Sequence, residues 1–592
     1  MIHLTLIILY LVLIGNVTGE HYCPLLGPVF PAPKHLSKSG VFKRAKHKIS
    51  SAIDEAISEA KTSKTPIFYP ENTSISLEVF SSHDKHPLFY YSYTSPATRN
   101  AKRGVQKVDR DTIFRIGSCS KLWTVFLFLI KMGDEPFNEP VAKYIPEIKI
   151  AAENIKSNAT ARSEGVNVVR WDEVTVGELA SQLAGITRDY GFMDLGYQPA
   201  NMTELGFPPL PESDLPPCGP MAICDKQVFM DGLIKSHPIV PITSTPIYSN
   251  AAFQLLAYAL EGMTGQSFRE MFENDLIKPL SLTHSSYGEP DDKHGIIPDS
   301  PHDMWWSFDM KGEAPAGGTY ASTKDMSTLG SAILSSKMIP SSLTRRWMKP
   351  LAHTSEMHNL VGAPWEIYSI PEPRTIDLYT KSGDISAYSA MIALSPDHDV
   401  GFTIMSSGPS PSPSGATRSI PNLIVQDLIS ALEDAAKEEA DHRFSGTYAL
   451  KHGKNSSITL VTDEGPGLKV TSWMNNNEDM LEAAALLMQF GDRSQINIRL
   501  QPTGLESPGR ISFRAIMTSP TMESSVKGPF SLARMTWVMA DSQKYGNVAL
   551  DEFLFDVDDD GNAVSLSPRA LRVSLPRKHG HGHDDDKDDN DH

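Results

Sequence analysis

Residues 121–132, "KLWTVFLFLIKM", carry almost no polar side chain between their terminal lysines. At 3.6 residues per turn, such a run shows apolar groups on every face and leaves no side fit for water. It reads as a buried helix, so the chain must build other elements around it. The residues that open it matter as much. In "FRIGSCSK", Ser118 and Lys121 stand three apart, a spacing that puts two side chains on one helical face. Burial lowers the proton affinity of a lysine, and a neutral amine beside a serine hydroxyl can take its proton. A helix N-terminus adds positive potential where an oxyanion would develop. The same spacing also suits a Ser that starts a helix and a Lys that snorkels to water. By itself it leaves both readings open.

Context narrows the choice. The spacing recurs at Ser58/Lys61, Ser82/Lys85 and Ser524/Lys527. The first lies on a polar, exposed helix. The second is followed by Pro87, which a helix does not accept, and the third sits among strands. Only Ser118/Lys121 opens a buried run. Farther on, "YSN" puts Tyr248 and Asn250 at a loop–helix junction, and "KSG" puts Lys381, Ser382 and Gly383 at the end of a strand. Tyr545/Asn547 and the triplet at Lys38–Gly40 repeat these patterns in unsuitable settings.

The ordered set of S-x-x-K, Y-x-N and K-S-G resembles the serine β-lactamase and penicillin-binding-protein superfamily, in its class C-like esterase branch. "FRIGSCSKLWT", "PIYSNAAFQLLAYALEGMTG", "PAGGTYASTKDM" and "LYTKSGDISAYSAMIAL" look like blocks of that family, in its order, over roughly Ile75–Ala440. The added β domain and secretory start resemble the fungal secreted β-lactamase-like proteins. The resemblance implies Ser118 as acylated nucleophile, with Lys121 and Tyr248 sharing base and acid work and Lys381 holding positive charge beside Tyr248. Asn250 would orient Lys121 or a substrate amide. The backbone N–H groups of Ser118 and Asp384 would form the oxyanion hole, and Gly383 would admit substrate close to the strand. Asp384 departs from the family pattern, where a small neutral residue is common, and its charge would repel a carboxylated β-lactam. The long stretch between Ser118 and Tyr248 would reshape the acyl-binding wall.

The fold class expected is α+β, an antiparallel sheet with packed helices and a helical insert, followed by an all-β barrel or sandwich. Strands are read in "SISLEVFSS", "LFYYSYTSP", "IDLYTKSG", "AYSAMIALSP" and "DVGFTIMSSG", and helices in residues 171–185, in 249–265 and after Pro421. From Phe444 to Leu575, short alternating runs with turn residues between them, among them "ARMTWVMA" and "LRVSL", read as strands of the second domain. At 592 residues the chain exceeds one core. The domains expected are a signal peptide at 1–19, a hydrolase domain at 20–440, an all-β domain at 441–576 and a disordered His/Asp-rich tail at 577–592.

The apolar run Leu4–Ile14 is too short for a membrane span and fits a secretory signal, with small residues Val17 and Gly19 at a cleavage site. Secretion makes Asn72, Asn158, Asn201 and Asn455 glycosylation acceptors and Cys218/Cys224 a disulfide across a short loop. Cys119 reads as a buried thiol, and Cys23 is left without an assigned partner. The net charge of −17 argues against nucleic acid and anionic membrane surfaces. No paired CxxC and no HExxH occur, so no metal or cofactor is expected. "DVDDDGNAVSLS" matches the start of a calcium loop at Asp556, Asp558, Asp560 and Gly561, but Ser567 stands where such a loop needs Glu, and a β-turn fits better. His579, His581 and His583 lie in the solvated tail.

The function expected is a secreted serine hydrolase acting on a small ester or amide. An acyltransferase using the same acyl-Ser118 is the first alternative, and a non-catalytic binding protein is the second. Retention of Ser118, Lys121, Tyr248 and Lys381 together argues against the second, because a binder needs none of them.

Overall fold

The computed structural model describes residues 24–192, 194–197, 202–219, 222–299, 301–371, 374–519 and 536–578. The signal segment, Cys23, Asn201 and the tail histidines lie outside the described residues. The chain divides into two compact units, residues 34–431 and, of the described residues, 24–33 with 432–578.

The larger unit is an α+β fold built on an eight-stranded antiparallel sheet. Its strands are β1 (Ser74–Ser81), β2 (Phe89–Tyr93), β3 (Ala352–His353), β4 (Asn359–Val361), β5 (Glu366–Ile370), β6 (Ile376–Ile385), β7 (Tyr388–Ser395) and β8 (Val400–Ser407). They lie in the order β2-β1-β8-β7-β6-β5-β4-β3, so the first hairpin of the unit pairs with its last strand. Every residue of β1 and β8 is buried, which means the sheet is covered on both faces.

Helices supply that cover. In chain order they are α1 (Gly40–Thr62), α2 (Ser120–Met132), α3 (Ala251–Thr264), α4 (Thr323–Leu334) and α5 (Ser412–Phe444). α4 packs across β1, β8 and β7. Gly330 makes that approach possible, because a Cβ there would meet the Phe80 ring at 2.5 Å. α5 meets β7 through Ser389 and Thr417, whose hydroxyls are 2.5 Å apart. α2 is the buried helix that its composition demands: every residue from Ser120 to Leu129 is buried. Phe126 stacks on Trp347 with centroids 5.5 Å apart.

Two helical expectations need correction. Residues 171–185 form only the five-residue helix Val176–Ala180, capped by a Thr175/Glu178 capping box. Gln182 then takes φ +65°, and its side chain accepts a hydrogen bond from the Ser249 N–H. The chain leaves the helix there to reach the start of α3. Conversely, α5 begins at Ser412 and continues through Pro421, so the proline does not mark its start.

A small three-stranded sheet joins Ile113–Arg115 to Tyr320–Ser322 and Ser285–Ser286. It sets the Ser118 segment beside the "PAGGT" turn, where the Ile116 N–H donates to the Thr319 carbonyl at 3.1 Å. Between α2 and α3, the long irregular insertion is closed by the Cys218–Cys224 disulfide, with Cα atoms 5.2 Å apart. Gly191 packs on that bridge at φ +77°, and a Cβ there would lie 2.8 Å from the Cys218 sulfur.

The smaller unit is strand-rich. Nine antiparallel strands run from Gly446–Ala449 to Leu575–Pro576 in one sheet. An isolated bridge, Tyr448 to Arg577, lies between the first strand and the end of the last, and among the described residues the sheet is an open strand order rather than a closed barrel. One segment read as a strand differs: Thr536–Met539 of "ARMTWVMA" is a short helix. In "LRVSL", Leu571 ends a 3-10 turn and the strand begins only at Leu575. A helix at Met480–Leu487 was not anticipated. Val29 and Phe30 pack in this unit's core with Phe444, Trp473 and Phe555. The Asp558–Asn562 segment is the turn between Glu552–Val557 and Ala563–Pro568, where the Asp558 carboxylate accepts from the Asn562 N–H at 2.8 Å. Among the described residues, no helix is long and apolar enough to cross a membrane.

If α2 is the packing axis of the larger unit, truncating its centre should be felt globally. Phe126→Ala should destabilise the unit by about 3–5 kcal/mol. Urea unfolding followed by tryptophan fluorescence measures this.

Candidate active site

Ser118 sits in a one-turn 3-10 segment, Gly117–Cys119, that runs straight into α2. This turn lies against β6 backbone to backbone. A Cβ on Gly117 (φ +48°) would lie 2.8 Å from the Asp384 nitrogen. A Cβ on Gly383 would lie 2.1 Å from the Ile116 carbonyl oxygen and 2.6 Å from the Ser118 nitrogen. Only glycine at both positions lets the Ser118 and Asp384 amides come together.

Lys121 is fully buried. Its Nζ has three oxygens around it: Ser118 Oγ at 3.1 Å, Asn250 Oδ1 at 2.7 Å and the Ala316 carbonyl at 2.7 Å. Burial pushes its proton affinity below the ordinary lysine value, and the Lys381 cation pushes the same way. Asn250 precedes α3 but does not cap it, because its side chain serves Lys121. Ser249 takes over that duty and accepts from the Ala252 N–H at 3.0 Å.

Tyr248 lies among cations. Lys121 Nζ, Lys381 Nζ and Arg188 Cζ stand 4.9, 5.5 and 4.8 Å from its ring centroid. Burial raises its phenol, but the two lysines and hydrogen bonds with Ser118 and Lys121 outweigh that and hold it below the ordinary tyrosine value.

Lys381, also buried, shifts the other way. Burial disfavours its charge, but the Glu366 carboxylate binds its ammonium directly and holds its proton above the ordinary range. Glu366 stands on β5 opposite Thr380 and also accepts from the Ser382 N–H at 2.9 Å and the Ser382 hydroxyl at 2.7 Å. The Ser382 side chain is thus engaged with Glu366.

Asp384 does not project beside Lys381. Alternation along β6 sends the two side chains to opposite faces. The Asp384 carboxylate accepts from the Ser389 hydroxyl at 2.6 Å and from Arg418 at 3.0 Å. Its charge is balanced there, which removes the expected repulsion of an anionic substrate. Cys119 is buried and its thiol donates to the Lys381 carbonyl at 3.1 Å; burial pushes it up to about 12.

The structure therefore brings Ser118, Lys121, Tyr248, Asn250, Lys381, Gly383 and the Asp384 amide together. Cys218 and Cys224 sit in the insertion. Asn72, Asn158 and Asn455 are exposed on the surface. Four contributors were not singled out in the sequence: Glu366, the Ala316 carbonyl, Asp189 and Glu313. Asp189 is hydrogen-bonded to Asn250, and burial raises its carboxyl above the ordinary range. Glu313 is 4% exposed, and burial pushes it up to about 8, with the Asp189 charge acting in the same direction. The "PAGGT" block was the one signal pointing toward this segment. The other carboxylates stand at ordinary strand and loop positions.

Comparison with known proteins follows the same lines. The family described as Beta-lactamase matches residues 77–425, and the one described as Beta-lactamase-like-like, C-terminal domain, matches residues 436–579. A Beta-lactamase-like protein of Arthroderma benhamiae is 29% identical and covers 94% of this chain and 96% of its own. A Probable hydrolase M10 of Phoma sp. is 26% identical over 74% of this chain and 72% of its own. A solved structure titled "A class C beta-lactamase" aligns at a TM-score of 0.46 with 16% identity, over 65% of this chain and 97% of that one.

Two outcomes test this geometry. Gly383→Ala should force the Ser118 and Asp384 amides apart and lower the reactivity of Ser118 toward a fluorophosphonate by roughly 10²–10³-fold, the loss that follows removal of one amide donor from such a pair. Stopped-flow labelling with circular dichroism as a folding control reads it. Glu313 keeps a proton in the native state that the unfolded chain releases above its ordinary value near 4.5, so native stability falls as pH rises toward 8. Glu313→Gln removes that loss. Its gain in melting temperature over wild type should be larger at pH 8 than at pH 5.

Proposed function

Because the chain belongs to the beta-lactamase family, we propose that it is a serine hydrolase that cleaves an ester or amide through an acyl-enzyme on Ser118. The observation that carries this reading is the contact of a fully buried Lys121 amine with Ser118 Oγ at 3.1 Å. A neutral amine has two N–H donors and one lone pair. The two shorter contacts, to Asn250 Oδ1 and the Ala316 carbonyl, take the donors. The lone pair then faces the Ser118 hydroxyl and accepts its proton as the oxygen attacks the carbonyl.

The Ser118 and Asp384 amides would hold the oxyanion of the tetrahedral intermediate. Tyr248, beside Ser118 and Lys121, relays the proton to the leaving group. Lys381 keeps its charge through Glu366 and favours the phenolate form of Tyr248 during that relay. Water then attacks the acyl-enzyme by the reverse path, which regenerates Ser118. We also propose that the protein is extracellular and glycosylated at the exposed Asn72, Asn158 and Asn455.

The test is intact-protein mass spectrometry after incubation with a fluorophosphonate and with a p-nitrophenyl ester. The wild type should gain one adduct, mapped to Ser118, and Ser118→Ala should gain none. Lys121→Arg should reduce acylation roughly 10²–10⁴-fold, because a guanidinium cannot act as a neutral base. An unlabelled wild type would rule the reading out.

A further inference from the structure

Beside Lys121 lies a cluster of buried polar groups that the acyl chemistry does not use. Glu313 immediately precedes the Ala314–Gly317 turn whose Ala316 carbonyl accepts from Lys121. It is 4% exposed, and no hydrogen bond or ion pair engages its carboxyl among the described residues. Asp189 Oδ1 is buried without a partner. Gln254, one turn along α3 from Asn250, has its Oε1 buried without a partner, while its Nε2 donates to the Tyr258 hydroxyl at 2.9 Å. Gly312 joins this residue to Glu313, since a Cβ there would lie 2.5 Å from Gln254 Nε2. The Glu313 carboxyl, Asp189 Oδ1 and Gln254 Oε1 are thus acceptor groups without a hydrogen-bond donor among the described residues.

The charges point the same way. Lys381 is neutralised by Glu366, and Asp189 faces Arg188 Nε at 3.6 Å. Lys226 sits over the Tyr258 ring at 4.6 Å, and Lys311 donates to the Ile223 carbonyl at 3.3 Å; neither forms an ion pair with Glu313 among the described residues. Lys121 is the one cation that acts on Glu313; where it serves as a neutral base, as in the hydrolase reading above, one carboxyl remains without a counter-charge. Its complement is a single cation with three N–H donors.

We propose that this cluster is a subsite for a primary ammonium group carried by the substrate close to its scissile carbonyl, held by Glu313 and Asp189. This rests on the hydrolase reading above. On binding, the carboxylic acid of Glu313 releases its proton to solvent, and an ammonium–carboxylate pair replaces it. No covalent bond forms or breaks in that step. The neutral acid explains how Glu313 is tolerated in the empty site, since a buried lone carboxylate is costly.

The experiment compares kcat/KM for matched esters. β-Alanine p-nitrophenyl ester is set against its neutral isostere, the butyrate ester, and against the anionic succinate ester. The butyrate ester of 2-aminoethanol is set against propyl butyrate, which covers an amine on the leaving side. Wild type should favour the ammonium member of one pair by about tenfold or more, as expected of a charge-assisted contact. Glu313→Gln and Asp189→Asn should each bring that ratio near one. A ratio is insensitive to a general loss of folded enzyme. Preference for the neutral or anionic member, or a preference that survives Glu313→Gln, overturns the inference and leaves the hydrolase reading standing. If no ester is turned over, the hydrolase reading fails. The subsite is then read by calorimetric titration of propylammonium chloride into the Ser118→Ala protein: binding that Glu313→Gln abolishes upholds it, and absence of binding overturns it.

Discussion

An amine sealed from water must be given acceptors, and much of the larger unit is arranged around that need. Lys121 sits at the start of a helix too apolar to lie anywhere but the interior. Its Nζ can be satisfied only by groups brought to it. α3 contributes Asn250 and gives up that residue as a cap, with Ser249 substituting. The segment before α4 contributes a bare carbonyl from a glycine-rich turn, held in place by the small sheet that pairs Ile113–Arg115 with Tyr320–Ser322. The third oxygen at the amine is Ser118 Oγ, so that contact is what remains after the other obligations of a buried lysine have been met.

Two buried lysines stand within reach of one tyrosine, yet their proton affinities diverge. Both lose solvation. Burial and the Lys381 cation move Lys121 down against the pull of Tyr248 and Asp189, while Lys381, equally buried, has Glu366 in direct contact and moves up. One lysine is thus biased toward its neutral form and the other toward its charged form, with Tyr248 between them. Pushing like groups apart through their surroundings is how a site obtains both roles at one pH. The distinction rests on one β5 side chain, which makes Glu366 as much a part of the site as the lysine it binds.

The legible and illegible parts of this molecule divide along physical lines. The buried helix, the β1–β2 hairpin and the β6–β7–β8 meander follow from local periodicity, and periodicity is written in the sequence. Ser118, Lys121, Tyr248, Asn250 and Lys381 were legible because their types recur in a fixed order with fixed local context. Glu366 was not, because its role comes from pairing β5 with β6 in a register that puts Glu366 opposite Thr380. Asp189 and Glu313 were hidden for a related reason: each lies on an irregular segment whose place is set by tertiary contacts. Asp189 also follows the helix expected over 171–185, which ends early where Gln182 turns its side chain to Ser249. Asp384 was read from its charge alone, and the strand alternation that sends it to Arg418 emerges only with the sheet. Helix α5 was read short because a proline usually marks a start, and Pro421 lies inside it.

The central claim is that burial keeps Lys121 ready to accept a proton from Ser118. The most direct measurement is a pH titration of the protein labelled with 13C at lysine Cε, with Lys121→Met used to assign the resonance. The account predicts one lysine that titrates well below the ordinary value near 10.5 and disappears in Lys121→Met. If every lysine titrates at or above that value, Lys121 is a cation throughout the working range, and its contact with Ser118 is structural.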